Sequence, residues 1–221
     1  MPALLLVRHG QASFGSANYD VLSENGHRQA ALVGAALRDR VNPEVVVAGS
    51  LQRQQKTAAE LVSAAGFEVR SVRHGGWDEY DHAELLRGAA GRFGALKTGV
   101  AAAMGNSAGV QAALDAALRA WSTSDERWSK GLSFKEFQQG ALDALDEALA
   151  GDPALVVTSG GVIAAIAAHL LGAGPETFVA LNRVSVNTGI TTVVRGRSGT
   201  SLLTFNEHAH LAGHPDLLTY R

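Results

Sequence analysis

The stretch Ala3-Leu4-Leu5-Leu6-Val7-Arg8-His9-Gly10 sets five apolar residues directly before a cation, an imidazole and a glycine. A short apolar run that stops at polar residues and glycine predicts a buried strand ending in a polar loop, here a strand over Ala3 to Val7. The pattern recurs at Val45-Val46-Val47-Ala48, which stops at Gly49-Ser50, and at Ala154 to Thr158, which stops at Ser159-Gly160-Gly161. Between these strands lie helical patterns. Ser23 to Arg40 has Ser23 as N-cap and apolar residues at Ala30, Leu32, Val33, Ala36 and Leu37. Leu51 to Ala65 reads as a helix closed by Gly66, Glu68 to Val72 as a half-exposed strand, and the segment after Ser159-Gly160-Gly161 as a helix to Leu171. Gly189 to Val194 and Ser201 to Phe205 face each other across Gly196-Arg197-Ser198-Gly199, which predicts a hairpin. Strands alternating with helices argue for a three-layer α/β/α fold with a mostly parallel sheet. In such folds ligands sit at the carboxyl ends of strands, where Arg8-His9-Gly10, Gly49-Ser50 and Ser159-Gly160-Gly161 all fall.

The stretch from His82 to Ala150 differs, being rich in alanine and glycine with no convincing strand. Two helices are expected there, around Val110 to Trp121 and over Phe134 to Leu149. The second opens on Ser133-Phe134-Lys135-Glu136, a capping box. We expect residues 1–221 to form one domain with a helical insertion over about 82–150, lying across one end of the sheet.

Composition narrows the function classes. The 221 residues are 46% hydrophobic and 18% charged, with a formal net charge of −2, which describes a globular chain. No basic face offers itself to nucleic acid. Cysteine is absent, which removes disulfides, thiolate metal sites and cysteine nucleophiles. No apolar window reaches the roughly 18 residues needed to span a bilayer, and the N-terminus has no signal-peptide pattern, so a cytoplasmic location without membrane contact is expected.

An arginine beside a histidine at a strand end suits phosphoryl chemistry. The guanidinium fork binds phosphate oxygens bidentately and stays charged. Histidine attacks phosphorus through one ring nitrogen when the other is hydrogen-bonded and its tautomer fixed.

Leu6-Val7-Arg8-His9-Gly10-Gln11 resembles the signature that opens the histidine phosphatase superfamily, the phosphoglycerate-mutase-like enzymes. Asp20 to Gly26 followed by Gln29-Ala30 is similar to the segment that begins the family's first helix. Gly49-Ser50-Leu51-Gln52-Arg53 with Thr57-Ala58 resembles its second motif, and Asn187-Thr188-Gly189, Asn206 and His210-Leu211 resemble its late landmarks. The resemblance implies a phosphomonoester hydrolase working through a phosphohistidine on His9, with Arg8 and Arg53 binding phosphate. The family's acid matches Glu79 in Gly76-Trp77-Asp78-Glu79-Tyr80-Asp81-His82, with Asp78 and Asp81 expected to raise its pKa by like-charge repulsion.

Two departures stand out. Ser159 occupies the place of the family's second catalytic histidine, leaving a hydroxyl and, at Gly160, a helix N-terminus as phosphate donors. His82, Arg87 and Arg92 are candidates to supply the missing charge. Gly15 stands where mutases of the family carry a substrate-contacting asparagine, and Asn18 is out of register, which favours hydrolysis over mutase activity.

The expected ligand is a small phosphorylated substrate or inorganic phosphate, without cofactor or metal, and a homodimer is the prior for the assembly. The rival readings are a catalytically weak or inactive phosphate-binding protein, a serine hydrolase using Ser159 with Glu176 or Asp216 and one of His208, His210 and His214, and a phosphoglycerate mutase. A metal site at those three histidines is disfavoured, because no paired carboxylate completes it.

Overall fold

Strands β1 (Ala3–Arg8), β2 (Val45–Ala48), β3 (Arg70–Arg73), β4 (Leu155–Thr158), β5 (Ile190–Gly196) and β6 (Gly199–Glu207) form one sheet in the order β3-β2-β4-β1-β5-β6. They belong to a computed structural model that describes residues 3–13, 20–92, 107–151 and 155–220. The pairs β1–β4, β2–β4 and β2–β3 are parallel, whereas β5 runs antiparallel to β1 and to β6. The helices are α1 (Glu24–Leu37), α2 (Gln52–Ala65), α3 (His82–Arg92), α4 (Ser107–Ser122), α5 (Phe134–Ala150), α6 (Gly160–Leu170) and α7 (Pro175–Val184).

The two-residue period of β1 explains the layers. Leu4 and Leu6 point into a core shared with Ala144, Leu145, Val162, Ile166 and Phe178 from α5, α6 and α7. Leu5 and Val7 point the other way, onto Val33, Leu37, Ala58 and Leu61 of α1 and α2. Both faces are covered, so the strand is apolar throughout instead of alternating. The architecture is the expected three-layer α/β/α sandwich, with its sheet mostly parallel.

Register then aligns the strand ends. Leu5 lies opposite Leu155 and Arg8 opposite Thr158, while Ala48 lies opposite Val157. His9 N–H donates to Thr158 O at 2.8 Å and Gly49 N–H to Val157 O at 3.1 Å. Three loops therefore leave the sheet side by side at the carboxyl ends of β2, β4 and β1. Gly10 is needed there, because a Cβ on it would lie 2.4 Å from Gly26 O where the loop crosses α1.

The helix signals act as read. Ser23 Oγ accepts from Gly26 N–H, Gly66 closes α2 at φ 72°, and Ser133 and Glu136 complete their reciprocal capping box. α1 ends at Leu37 instead of Arg40, ahead of Asn42-Pro43, and β3 starts at Arg70 because its pairing with β2 begins at Val45. Two helices, α3 and α7, were not anticipated. α7 carries Pro175 in its first turn and Glu176 beside it, both favourable at a helix start. No helix among the described residues is long and apolar enough to cross a membrane.

Candidate active site

His9 is 4% exposed at the end of β1, with Nδ1 2.7 Å from Gly10 O. A carbonyl oxygen only accepts, so the proton resides on Nδ1 and the Nε2 lone pair is exposed to donors. Arg53 Nε donates to that nitrogen at 3.1 Å. Burial, with Arg53 and then Arg8 beside it, holds the imidazole well below the ordinary histidine value of 6.5, so His9 is neutral at neutral pH. Asn187 Nδ2 donates to His9 O at 3.1 Å, and Gly10 N–H to Thr57 Oγ1 at 3.0 Å. These bonds fix the backbone on either side of the ring.

Arg53 comes from the first turn of α2 and is itself oriented. Asp20 Oδ1 receives its Nη1 at 2.7 Å, and the same carboxylate accepts Gln52 N–H at 2.8 Å. Asp20 thus caps α2 and holds the guanidinium against His9. Arg8 Nη1 donates to Ser185 O, just beyond α7.

Glu79 follows a short 3-10 turn, Gly75–Trp77, and is 5% exposed. Gly161 N–H in the first turn of α6 donates to its Oε2 at 3.2 Å, and among the described residues Oε1 has no hydrogen-bond partner. Its pKa is raised, and the cause differs from the expected like-charge repulsion. Burial raises it, while Arg53, the Gly161 N–H and Arg8 pull the other way. Asp78 is turned aside and accepts from Ser50 N–H at 2.5 Å, and Asp81 caps α3 by accepting Glu84 N–H at 2.9 Å. A buried carboxyl with an orphan oxygen suits the protonated form, whose O–H awaits an acceptor.

A cleft of about 1010 Å³ opens over these groups, and Arg8, His9, Arg53, Glu79 and Gly160 all line it. Ser159 does not. It is fully buried, and its Oγ accepts from Gln54 Nε2 at 2.9 Å, so in this arrangement its hydroxyl lies beneath the cleft. Gln54 also donates to Trp77 O at 2.9 Å, tying β4, α2 and the turn before Glu79 into one buried network. Among the described residues no histidine is hydrogen-bonded to Ser159, as a serine hydrolase elbow would require.

His82 lines the cleft and packs against Tyr80 with ring centroids 4.8 Å apart and planes tilted by 58°. Burial and then the nearby Arg53 lower its pKa to about 4, which works against the expectation that it supplies a positive charge. Arg87 is exposed and outside the cleft lining, and the side chain of Arg92 lies outside the described residues, as do Gly15 and Asn18. His210 Nε2 is 3.1 Å from Thr188 Oγ1, and His208 Nδ1 is 2.6 Å from Asn206 O. Among the described residues no group of three or more His, Asp or Glu side chains has metal-holding geometry.

Sequence reasoning missed several contributors. Asp20 meets Arg53 only through the fold. Asn182, whose Nδ2 donates to Tyr80 Oη at 3.0 Å, and Arg183 belong to the unanticipated α7.

The family model described as histidine phosphatase superfamily (branch 1) matches residues 4–88 and 101–208. No curated protein sequence matches the chain. Solved structures do. A mycobacterial glucosyl-3-phosphoglycerate phosphatase complexed with VO3 is 22% identical over 94% of this chain and 100% of that one, with a TM-score of 0.63. A phosphoserine phosphatase mutant from Entamoeba histolytica, in complex with phosphoserine, is 22% identical over 96% and 100%, with a TM-score of 0.64. Bacillus stearothermophilus YhfR is 17% identical over 95% and 98%, with a TM-score of 0.66. At these identities the likeness is one of fold.

Proposed function

The chain belongs to the histidine phosphatase superfamily (branch 1), a phosphatase by family, and from that premise we propose that it hydrolyses a small phosphomonoester through a phosphohistidine on His9. The observation that carries the mechanism is the His9 tautomer: Nδ1 is committed to Gly10 O, which leaves Nε2 as the nucleophile. In the first step the Nε2 lone pair attacks phosphorus, the bond to the leaving oxygen breaks, and that oxygen takes the proton of Glu79. In the second, the Glu79 carboxylate accepts a proton from water as the water oxygen attacks phosphorus and the P–Nε2 bond breaks, releasing phosphate and restoring His9. Arg8 and Arg53 neutralise the equatorial oxygens, and the N-terminus of α6 at Gly160 adds backbone donors. Arg53 passes from the His9 nitrogen to the incoming phosphoryl group. Gln54, which also donates to Ser159 Oγ beneath the cleft, holds the Glu79 turn through Trp77 O.

The test is turnover of p-nitrophenyl phosphate by the whole chain and by His9→Ala. Loss of activity in the variant, with competitive inhibition of the wild type by vanadate, supports the reading. Equal rates in the two proteins defeat it.

A further inference from the structure

The loop His9-Gly10-Gln11 contains two peptide groups, and both bear on the nucleophile. The first joins His9 C=O to Gly10 N–H. Its carbonyl accepts from Asn187 Nδ2 at 3.1 Å, and its N–H donates to Thr57 Oγ1 at 3.0 Å. The second joins Gly10 C=O to Gln11 N–H. That carbonyl receives the His9 Nδ1 proton, while the Gln11 N–H donates to Gln29 Oε1 at 2.8 Å. A trans peptide is planar and stiff, with its C=O and N–H pointing in opposite directions, so whatever holds the N–H aims the carbonyl. Gln29 therefore aims the oxygen that fixes the His9 tautomer, through the backbone and not through the ring.

Gln29 lies in the second turn of α1 and is fully buried. Its Nε2 donates to Leu217 O at 2.7 Å and to Thr219 Oγ1 at 2.8 Å. Thr219 Oγ1 in turn donates to Asn187 Oδ1 at 3.0 Å, and Thr219 O accepts the Asn187 N–H at 2.8 Å. The bonds close a circuit around the loop, running from Gln11 N–H through Gln29, Thr219 and Asn187 to His9 O. Its direction is fixed by donor and acceptor chemistry. Reversing the Gln29 amide would set its NH2 against the Gln11 N–H and its oxygen against Leu217 O. Reversing Asn187 would set oxygen against His9 O. Since Gln29 can only donate to Thr219, the threonine hydroxyl must give its own proton to Asn187. Gln29, Asn187 and Thr219 are not part of the cleft lining, so the circuit acts on the loop and not on the substrate.

We propose that Gln29 and Thr219 are positioning residues for the nucleophile: the circuit through the C-terminal segment holds the Gly10 carbonyl on the His9 ring, so that Nε2 stays aimed at phosphorus. For turnover this rests on His9 being the nucleophile, whereas the effect on the ring does not.

The experiment compares the whole chain with Gln29→Leu, Thr219→Val and Thr219→Ser. The His9 Nδ1 proton, identified in the ring-nitrogen NMR spectrum by its loss in His9→Ala, reads the bond to Gly10 O. Turnover of p-nitrophenyl phosphate and inhibition by inorganic phosphate read rate and binding separately. In Gln29→Leu the Nδ1 proton should move upfield and exchange faster with water, and kcat should fall by about thirty- to a hundredfold, as when a remote change misplaces a reacting group. The inhibition constant for phosphate should stay within about threefold, because Arg8, Arg53 and the start of α6 are untouched. Thr219→Val, nearly the same in shape, should give the same pattern with a loss of about tenfold, and Thr219→Ser should restore both readouts. Should Gln29→Leu fail to fold, the two half-buried Thr219 variants decide. An unmoved Nδ1 proton overturns the proposal whatever happens to Tm or kcat. So does a moved proton with wild-type kcat, or phosphate binding that weakens in step with the rate. A moved proton in a chain whose wild type turns over no faster than His9→Ala would refute the hydrolase reading alone.

Discussion

Arg53 Nε lies 3.1 Å from His9 Nε2, donating a hydrogen bond to the nitrogen assigned as nucleophile. Burial and this contact keep the imidazole neutral, and in the proposed reaction the same guanidinium meets the phosphate that displaces it. Arg53→Ala should lower kcat/KM for p-nitrophenyl phosphate by about a hundred- to a thousandfold, the range for loss of a preorganised charge donor. Arg53→Lys should restore little of it, because an ammonium cannot hold Asp20 and His9 along one planar fork. A lysine variant within threefold of wild type would contradict this role.

Glu79→Gln separates the acid from the phosphate clamp. Alkyl phosphates, whose leaving oxygens need a proton, should slow by at least about a hundredfold, and p-nitrophenyl phosphate far less. A uniform decrease across leaving groups would show that Glu79 is not the proton donor.

The same variant tests the sign of the Glu79 pKa shift. Burial raises the folded value above 4.5, so below that pH both folded and unfolded chains hold the proton. As pH rises through the window above it, the unfolded chain releases the proton first, and stability falls. Glu79→Gln removes that loss. Its Tm relative to wild type should therefore increase as pH rises above 4.5; a constant or declining difference would reverse the assignment.

Gly161→Ala probes the position of the acid through the backbone. An added Cβ would lie 2.3 Å from both Glu79 Oε1 and Tyr80 Cε1, so the carboxyl must shift. The expected result is the leaving-group pattern of Glu79→Gln together with a lower Tm. Wild-type kinetics on alkyl phosphates would count against the geometry.

How far the sequence carried this account is visible at particular residues. The ends of β1, β2 and β4 were legible because a buried strand is a short apolar run and its loop begins at polar residues and glycine. Ser23, Gly66 and the Ser133–Glu136 capping box were legible because caps are local chemistry. Asp20 beside Arg53 was not, since 32 residues of chain separate Asp20 from the Gln52 N–H it also caps, and only the fold brings them together. α3 and α7 were missed because their apolar faces are short and complete only against α4 and α6. The source of the Glu79 shift was misjudged for a related reason. Neighbouring acids in sequence suggest repulsion, but Asp78 and Asp81 turn away to Ser50 and Glu84, and burial acts instead.

Ser159 shows the same limit. As a residue type it offers a phosphate a hydroxyl, but in the fold that hydroxyl meets Gln54. Ser159→Ala should leave kcat/KM within about threefold of wild type, since Gln54 Nε2 keeps Trp77 O. Ser159→His should lower Tm, because the site is fully buried and the larger ring would overpack it. A hundredfold loss in Ser159→Ala would mean that the hydroxyl touches the phosphoryl group.

The central claim is covalent: phosphorus passes through His9 Nε2. Rapid denaturing quench of the chain during turnover of a phosphorus-labelled aryl phosphate, followed by peptide mapping, reads it directly. The account predicts an alkali-stable, acid-labile phosphoryl group on the peptide containing His9, absent in His9→Ala, which should also be inactive. Undiminished turnover by His9→Ala, or a label that maps to another residue, would contradict it.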